Sequence, residues 1–263
     1  MSILQLSSGK FLVIDTVALD SELKSELDDL TENGSLIDSV LMTHPFHSLY
    51  LLPFYKEYPS ARYYGTPRHI KIFRNLAWSG SLDDAEVLKQ WEPDVYMRIP
   101  DGAEFVNPAE HNHLSCVFVF HPSSRTIHVD DTIVYIERSS CLLSFVGAKV
   151  GDMILTWNLA QCLYKTPEAP YQFKSFLQRI LKDWDFDNIC TAHIGNKIGG
   201  AKKALEETVA NAEDKFHEIS DINKYNLPRD PSGLFVAENA RASNYGVDES
   251  LQPELNSTYG SCG

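Results

Sequence analysis

The sequence predicts an α/β fold with two sheets, and three features predict it. The first 65 residues alternate short apolar runs with an amphipathic segment, the pattern of a β-α-β opening. From Val95 onward, short β-rich runs follow one another between turns, as in a meander or second sheet. Histidines and aspartates stand where several of these runs end, which is where an α/β protein places its chemistry.

Gly9-Lys10 is a turn, and Phe11-Leu-Val-Ile-Asp15 reads as a buried strand. Asp20 or Ser21 caps a helix that puts Leu23, Leu27 and Leu30 on one face, and Asn33-Gly34 stops it. Residues 35–42 form the next strand, which ends abruptly in Thr43-His44-Pro45-Phe46-His47 because Pro45 forbids its continuation. A helix is expected over 49–58 with Pro53 in its first turn, a third strand over 61–65, and a short helix opened by Pro67. Residues 78–91 are polar and irregular and are expected as a surface excursion.

In the second half, strands are expected over 95–99, 104–106, 114–120, 126–129 and 132–136. Residues 150–164 read as a mixed apolar helix and 171–184 as a clearer amphipathic one. A last short strand over 188–192 ends on His193, and a closing helix spans 202–217. The body is therefore expected over 1–227. Residues 228–263, rich in Pro, Ser, Gly, Asn and charge, read as a C-terminal extension that is partly disordered.

Composition narrows the function. The chain carries 36 acidic against 23 basic residues among 263, a formal charge of −13 spread without a basic block. Such a surface repels nucleic acid and anionic membrane, so neither is expected as a partner. No apolar run reaches the ~18 to 20 residues of a membrane span, and the N-terminus has no leader pattern. Five separated cysteines without a C-x-x-C pair fit thiols in a reducing compartment, so a soluble cytoplasmic protein is expected.

Four separated places share a His or Asp at a strand end: His44 with His47, His111 with His113, Asp130 with Asp131, and His193. Neutral imidazoles with one carboxylate suit a zinc, iron or manganese ion. Their order carries a resemblance: the chain is similar to metallo-β-lactamase-fold proteins. The matching pieces are Phe11 to Asp15, Thr43-His44, His111 or His113, Val129-Asp-Asp-Thr-Ile133, and Ala192-His193-Ile-Gly195 before a helix. The resemblance covers roughly residues 9 to 215. It implies an αββα sandwich, two sheets back to back with helices outside.

The resemblance also implies departures. With His44 at the family's first histidine, Phe46 falls at the second, Ser48 at the aspartate that serves a second metal, and Leu49 at the third histidine. A divergent branch with a degenerate metal loop is therefore expected. It would hold one divalent ion, zinc first and iron or manganese next, through His44, His47, His113, Asp131 and His193. His113 is preferred to His111 because it leads directly into the following strand. Asp130 is the expected general base, since no carboxylate stands beside His44. The activity implied is hydrolysis of a small ester, thioester or phosphoester. The alternative is a metal-free scaffold of the same fold that serves as a binding or assembly module.

Overall fold

The apolar periods build the first sheet where they fall. In the computed structural model, which describes residues 1–138 and 149–226, β1 (Ser2–Gln5) pairs antiparallel with β2 (Phe11–Ile14). The helix Ser21–Thr31 starts at Asp20, whose Oδ1 accepts from the Leu23 N–H at 2.9 Å. It stops because Glu32, Asn33 and Gly34 all take positive φ. β3 (Ile37–Met42) then lies parallel to β2. Helix Leu51–Glu57, with Pro53 in its first turn, leads to β4 (Arg62–Gly65), parallel to β3.

After helix Pro67–Ile72, capped by Thr66, the chain adds β5 (Trp78–Ser81) as a fifth strand, giving the order β1-β2-β3-β4-β5. This strand and the helix Ala85–Leu88 correct the expected surface excursion. Trp-Ser-Gly-Ser has little strand preference of its own; pairing with the open edge of β4 and burial of Leu82 and Trp91 decide its conformation.

The second sheet has the order β11-β8-β7-β6, from β6 (Tyr96–Arg98), β7 (Phe118–His121), β8 (Thr126–His128) and β11 (Asn188–Cys190), with β11 parallel to β8. β9 (Ile133–Tyr135) and β10 (Met153–Leu155) form a separate antiparallel pair. Three expectations change here. Residues 104–106 are not a strand, although Phe105 is buried. Residues 150–164 contain β10 and the one-turn helix Leu159–Cys162, because Met153 and Leu155 alternate inward at the period of a strand. The closing helix is two helices, Ala201–Asn211 and Glu213–Asn226, divided at Ala212. The expected C-terminal extension lies outside the described residues.

Alternation along each strand sorts side chains into layers. Leu12, Ile14, Leu41 and Tyr64 of the first sheet meet Met97, Val117 and Val119 from the second. On the other face of the first sheet, Val13, Val40, Met42 and Tyr63 pack on Leu27 and Phe54 of the helices. On the other face of the second, Phe118, Phe120 and Ile127 pack on Phe173, Phe176 and Ile180 of helix Ala169–Asp183 and on Leu205 and Phe216. Helix, sheet, sheet, helix is the αββα order expected from the sequence. No helix among the described residues is long and apolar enough to cross a membrane.

Asp38, near the start of the central strand β3, accepts from Arg62 of β4, from Trp91 Nε1 at 3.1 Å and from Ser39 Oγ at 2.9 Å. Burial works against the charge, yet these donors hold its carboxyl below the usual range. A depressed folded value means stability present at neutral pH and lost as pH falls through that value. Asp38→Asn is expected to lower stability at pH 7 by about 1 kcal/mol, the exposure of Arg62 keeping the effect small. Urea melts should show the gap from wild type closing below about pH 4, where an unfolded-state aspartate also protonates.

Candidate metal centre

β2 and β3 run parallel with Ile14 opposite Leu41, so the residues after them, Asp15 and Thr43-His44, come out side by side. Asp15, at φ 53°, accepts the Thr43 N–H on Oδ1 at 2.9 Å. The Thr43 carbonyl accepts the Val117 N–H at 3.0 Å, which ties this end of the first sheet to the second. Pro45 ends the extended chain, and the His47 N–H turns back to the His44 carbonyl at 3.0 Å. The two imidazoles are thereby brought together, with ring centroids 4.1 Å apart.

From the second sheet, β8 and β11 deliver the other groups. The Val129 N–H bonds to the Cys190 carbonyl, Asp130 turns the chain at φ 44°, and the Ala192 N–H bonds to the Asp130 carbonyl at 3.2 Å. Asp131 and His193 therefore leave neighbouring strand ends. Asn158 Nδ2 donates to the His111 carbonyl at 2.7 Å, and His113 turns to the centre.

Four imidazoles surround the Asp131 carboxylate. His113 Nδ1 is 3.0 Å, His47 Nε2 3.4 Å and His44 Nε2 3.7 Å from Oδ2, and His193 Nε2 is 3.0 Å from Oδ1. One atom each from His44, His47 and Asp131 lies within 4.8 Å of the others, close enough for a shared ion. His44 Nε2 and Asp131 Oδ1 are buried and make no hydrogen bond, although His193 Nε2 lies 3.0 Å from Oδ1. His111 stays exposed, so His113 is the member of that pair that faces the centre.

Asp130 is placed differently from the expectation. It is buried, Oδ1 accepts from His128 Nε2 at 2.7 Å, and Oδ2 accepts from Thr43 Oγ1 at 2.8 Å. Each of its oxygens is thus engaged by a protein donor from a different segment. Asp130, the expected general base, is placed where it holds the strand ends together.

Burial and charge set the protonation of the cluster. Burial, with His47 next, lowers His44 to about 4, so its imidazole is neutral at pH 7. Burial also disfavours charge on His47, but hydrogen bonds to Asp130, Asp131 and Asp15 outweigh it and raise the imidazole to about 12. Asp131 is lowered to about 2 against the effect of burial, chiefly by its bond to His47. Burial first and the Asp130 charge second raise Asp15 to about 6.

Three contributors were not read from the sequence. Asp15 Oδ2 lies 3.2 Å from His47 Nδ1, and its position at the end of an apolar strand parallel to the histidine strand was the available signal. His128 links Asp130 to Ser2 Oγ, 2.9 Å from its Nδ1. His69 is fully buried, with Nδ1 on Thr66 Oγ1 at 2.9 Å, Nε2 without a partner, and burial lowering its imidazole to about 3; no local pattern marks it.

An αββα sandwich with a His/Asp cluster where the strand ends of both sheets meet is the class that fold and site define. Solved metallo-beta-lactamase structures are what the chain is similar to. The enzyme from Hirschia baltica is 12% identical at a TM-score of 0.48, covering 79% of this chain and 83% of its own. TMB-1 is 13% identical at 0.47, with the same two shares. The enzyme from Pontibacter korlensis is 10% identical at 0.45, covering 79% and 84%. No protein-family model and no curated protein matches the sequence. The four-layer order stands on the packing of named residues, and the site on the distances above.

Removing the Asp130 carboxylate strands two buried donors. Asp130→Ala is expected to destabilise the fold by about 3–5 kcal/mol and Asp130→Asn by less, read from urea denaturation at pH 7.

Proposed function

We propose that the chain is a metal-dependent hydrolase-like protein that binds one divalent cation, zinc first and iron or manganese next, through His44, His47, His113, His193 and Asp131. Its substrate in this reading is a small ester, thioester or phosphoester. The observation that supports it is the convergence of four imidazoles on one carboxylate, with His44 Nε2 and Asp131 Oδ1 buried and unpartnered. Such atoms are costly to bury unless something pairs them, and neutral imidazole plus carboxylate is the donor set borderline cations take. A bound cation of this kind supplies Lewis acidity, polarising a scissile carbonyl or phosphoryl group and acidifying water.

The chain's own residues do the positioning. Asp15 faces His47 Nδ1, which holds that proton on Nδ1 and leaves Nε2 toward Asp131, the carboxylate–histidine arrangement that orients a ligand imidazole. Burial keeps His44 neutral, as a ligand must be. His193 is 68% exposed and forms the outer wall through which substrate would arrive. Among the described residues Cys116, Cys162 and Cys190 form no disulfide, which supports a reducing, cytoplasmic setting in this reading.

One observation favours the second reading, a metal-free binding or assembly scaffold. A proton on His47 satisfies Asp15, Asp130 and Asp131 without any ion, and His47 ligates only as the neutral imidazole. Elemental mass spectrometry on protein purified without a metal-binding tag decides between them. Near-stoichiometric metal that vanishes in a His44→Ala/His193→Ala variant is expected. Absence of metal from both forms, with thermal stability unchanged by added zinc, would sink the hydrolase reading. Asp15→Ala is expected to weaken zinc about 10- to 100-fold in a chelator competition, because His47 loses its orienting partner.

A further inference from the structure

We propose that the substrate of this centre is a neutral ester or thioester with an apolar acyl part seated against Trp157, and that phosphoesters and other anions are rejected. This rests on the hydrolase reading of the same centre.

A cavity of about 310 Å³ opens beside Asp131, His113 and His193. Its remaining walls are largely apolar, from Ile133, Val134, Trp157 and Ile194. Trp157 is 48% exposed, a large indole face left to water at the rim. The turn that carries it is fixed: Thr156 Oγ1 donates to Asn158 Oδ1 at 2.9 Å, and Asn158 Nδ2 donates to the His111 carbonyl at 2.7 Å. Thr191 Oγ1 donates to the Gly195 carbonyl at 2.7 Å. The hydroxyl protons that line the cavity are thus given to protein acceptors.

No Lys or Arg is among the described lining residues, whereas Asp130 and Asp131 are. A phosphoester brings two or three anionic oxygens to the reacting centre, and those that a single bound cation would leave unpaired need guanidinium or ammonium donors, which this lining lacks. A carboxylate farther along the cavity would be desolvated against Ile133, Val134 and Ile194 with no cationic side chain to pair it. An apolar acyl chain loses nothing there and covers the indole. In the reaction, the oxygen of water bonds to the acyl carbon, the acyl C–O or C–S bond breaks, and the departing alkoxide or thiolate takes up a proton from that water.

The full chain, its Trp157→Ala variant and its Trp157→Phe variant would be titrated with 4-phenyl-2-butanone, an inert neutral carbonyl compound, and with the anions 4-phenylbutyrate and phenyl phosphate, by ligand-observed NMR. In parallel, the zinc-supplemented proteins would be assayed on 4-nitrophenyl butyrate and bis(4-nitrophenyl) phosphate. The ketone is expected to bind at least about tenfold more tightly than either anion, to lose about tenfold in Trp157→Ala, and to recover most of it in Trp157→Phe. Equal or tighter binding of an anion, or a ketone affinity indifferent to Trp157→Ala, overturns the inference. Phosphodiester turnover exceeding ester turnover and indifferent to Trp157 overturns it while leaving the hydrolase reading standing. Trp157-dependent ketone binding without turnover or bound metal supports the apolar pocket and removes the hydrolase reading instead.

Discussion

The arrangement depends on one buried carboxylate, Asp130, and on the three segments it joins. Its side chain accepts from Thr43, the residue before His44, and from His128 at the end of β8; its backbone carbonyl accepts from Ala192, the residue before His193. Asp131 follows it directly in the chain. A displacement of Asp130 would therefore move the histidine loop of the first sheet, the central carboxylate and the last histidine together. Charge-assisted hydrogen bonds to a buried carboxylate are worth about 1.5–3 kcal/mol each, enough to hold Asp130 at a positive φ that a residue with a side chain seldom takes.

Three carboxylates packed this closely are relieved by positive charge among them or by a proton on one of them, and Asp15 is raised to about 6. Asp15, Asp130 and Asp131 all approach His47, and the neutral, buried His44 does not answer that demand. The same electrostatics that would hold a divalent ion also hold a proton, which is why the geometry is compatible with a metal centre and with a protonated scaffold.

Phe46 and His47 take their places in the histidine loop for a physical reason. Phe46 stands where the resemblance places a second histidine, and it lies beneath the Arg68 guanidinium at 4.5 Å, while Arg68 Nη1 donates to the Pro45 carbonyl at 3.1 Å. This contact gives the loop a packed aromatic anchor in place of a ligand. His47, one residue later, turns inward instead, and Asp15 holds its Nδ1 side. An imidazole out of register in the sequence can thus share a centre with one in register.

The sequence by itself determined the layers and the places where chemistry collects. The apolar runs of β2 and β3, the Asp20 cap, the Asn33-Gly34 stop and the Pro45 break are local effects, and each is read from a few neighbouring residues. Recurrence of His and Asp at strand ends likewise showed which segments could meet, since parallel strands bring their C-terminal ends to one edge. Only the tertiary structure decided β5, whose Trp-Ser-Gly-Ser becomes a strand by pairing with an open edge, and β10, whose partner β9 lies nearly twenty residues away. It alone decided that Asp130 faces Thr43 and His128 while Asp131 faces the four imidazoles, that His113 and not His111 turns to the centre, and that Asp15 stands behind His47. These choices follow from which donors and charges meet once distant strands pack, and no local pattern carries that information.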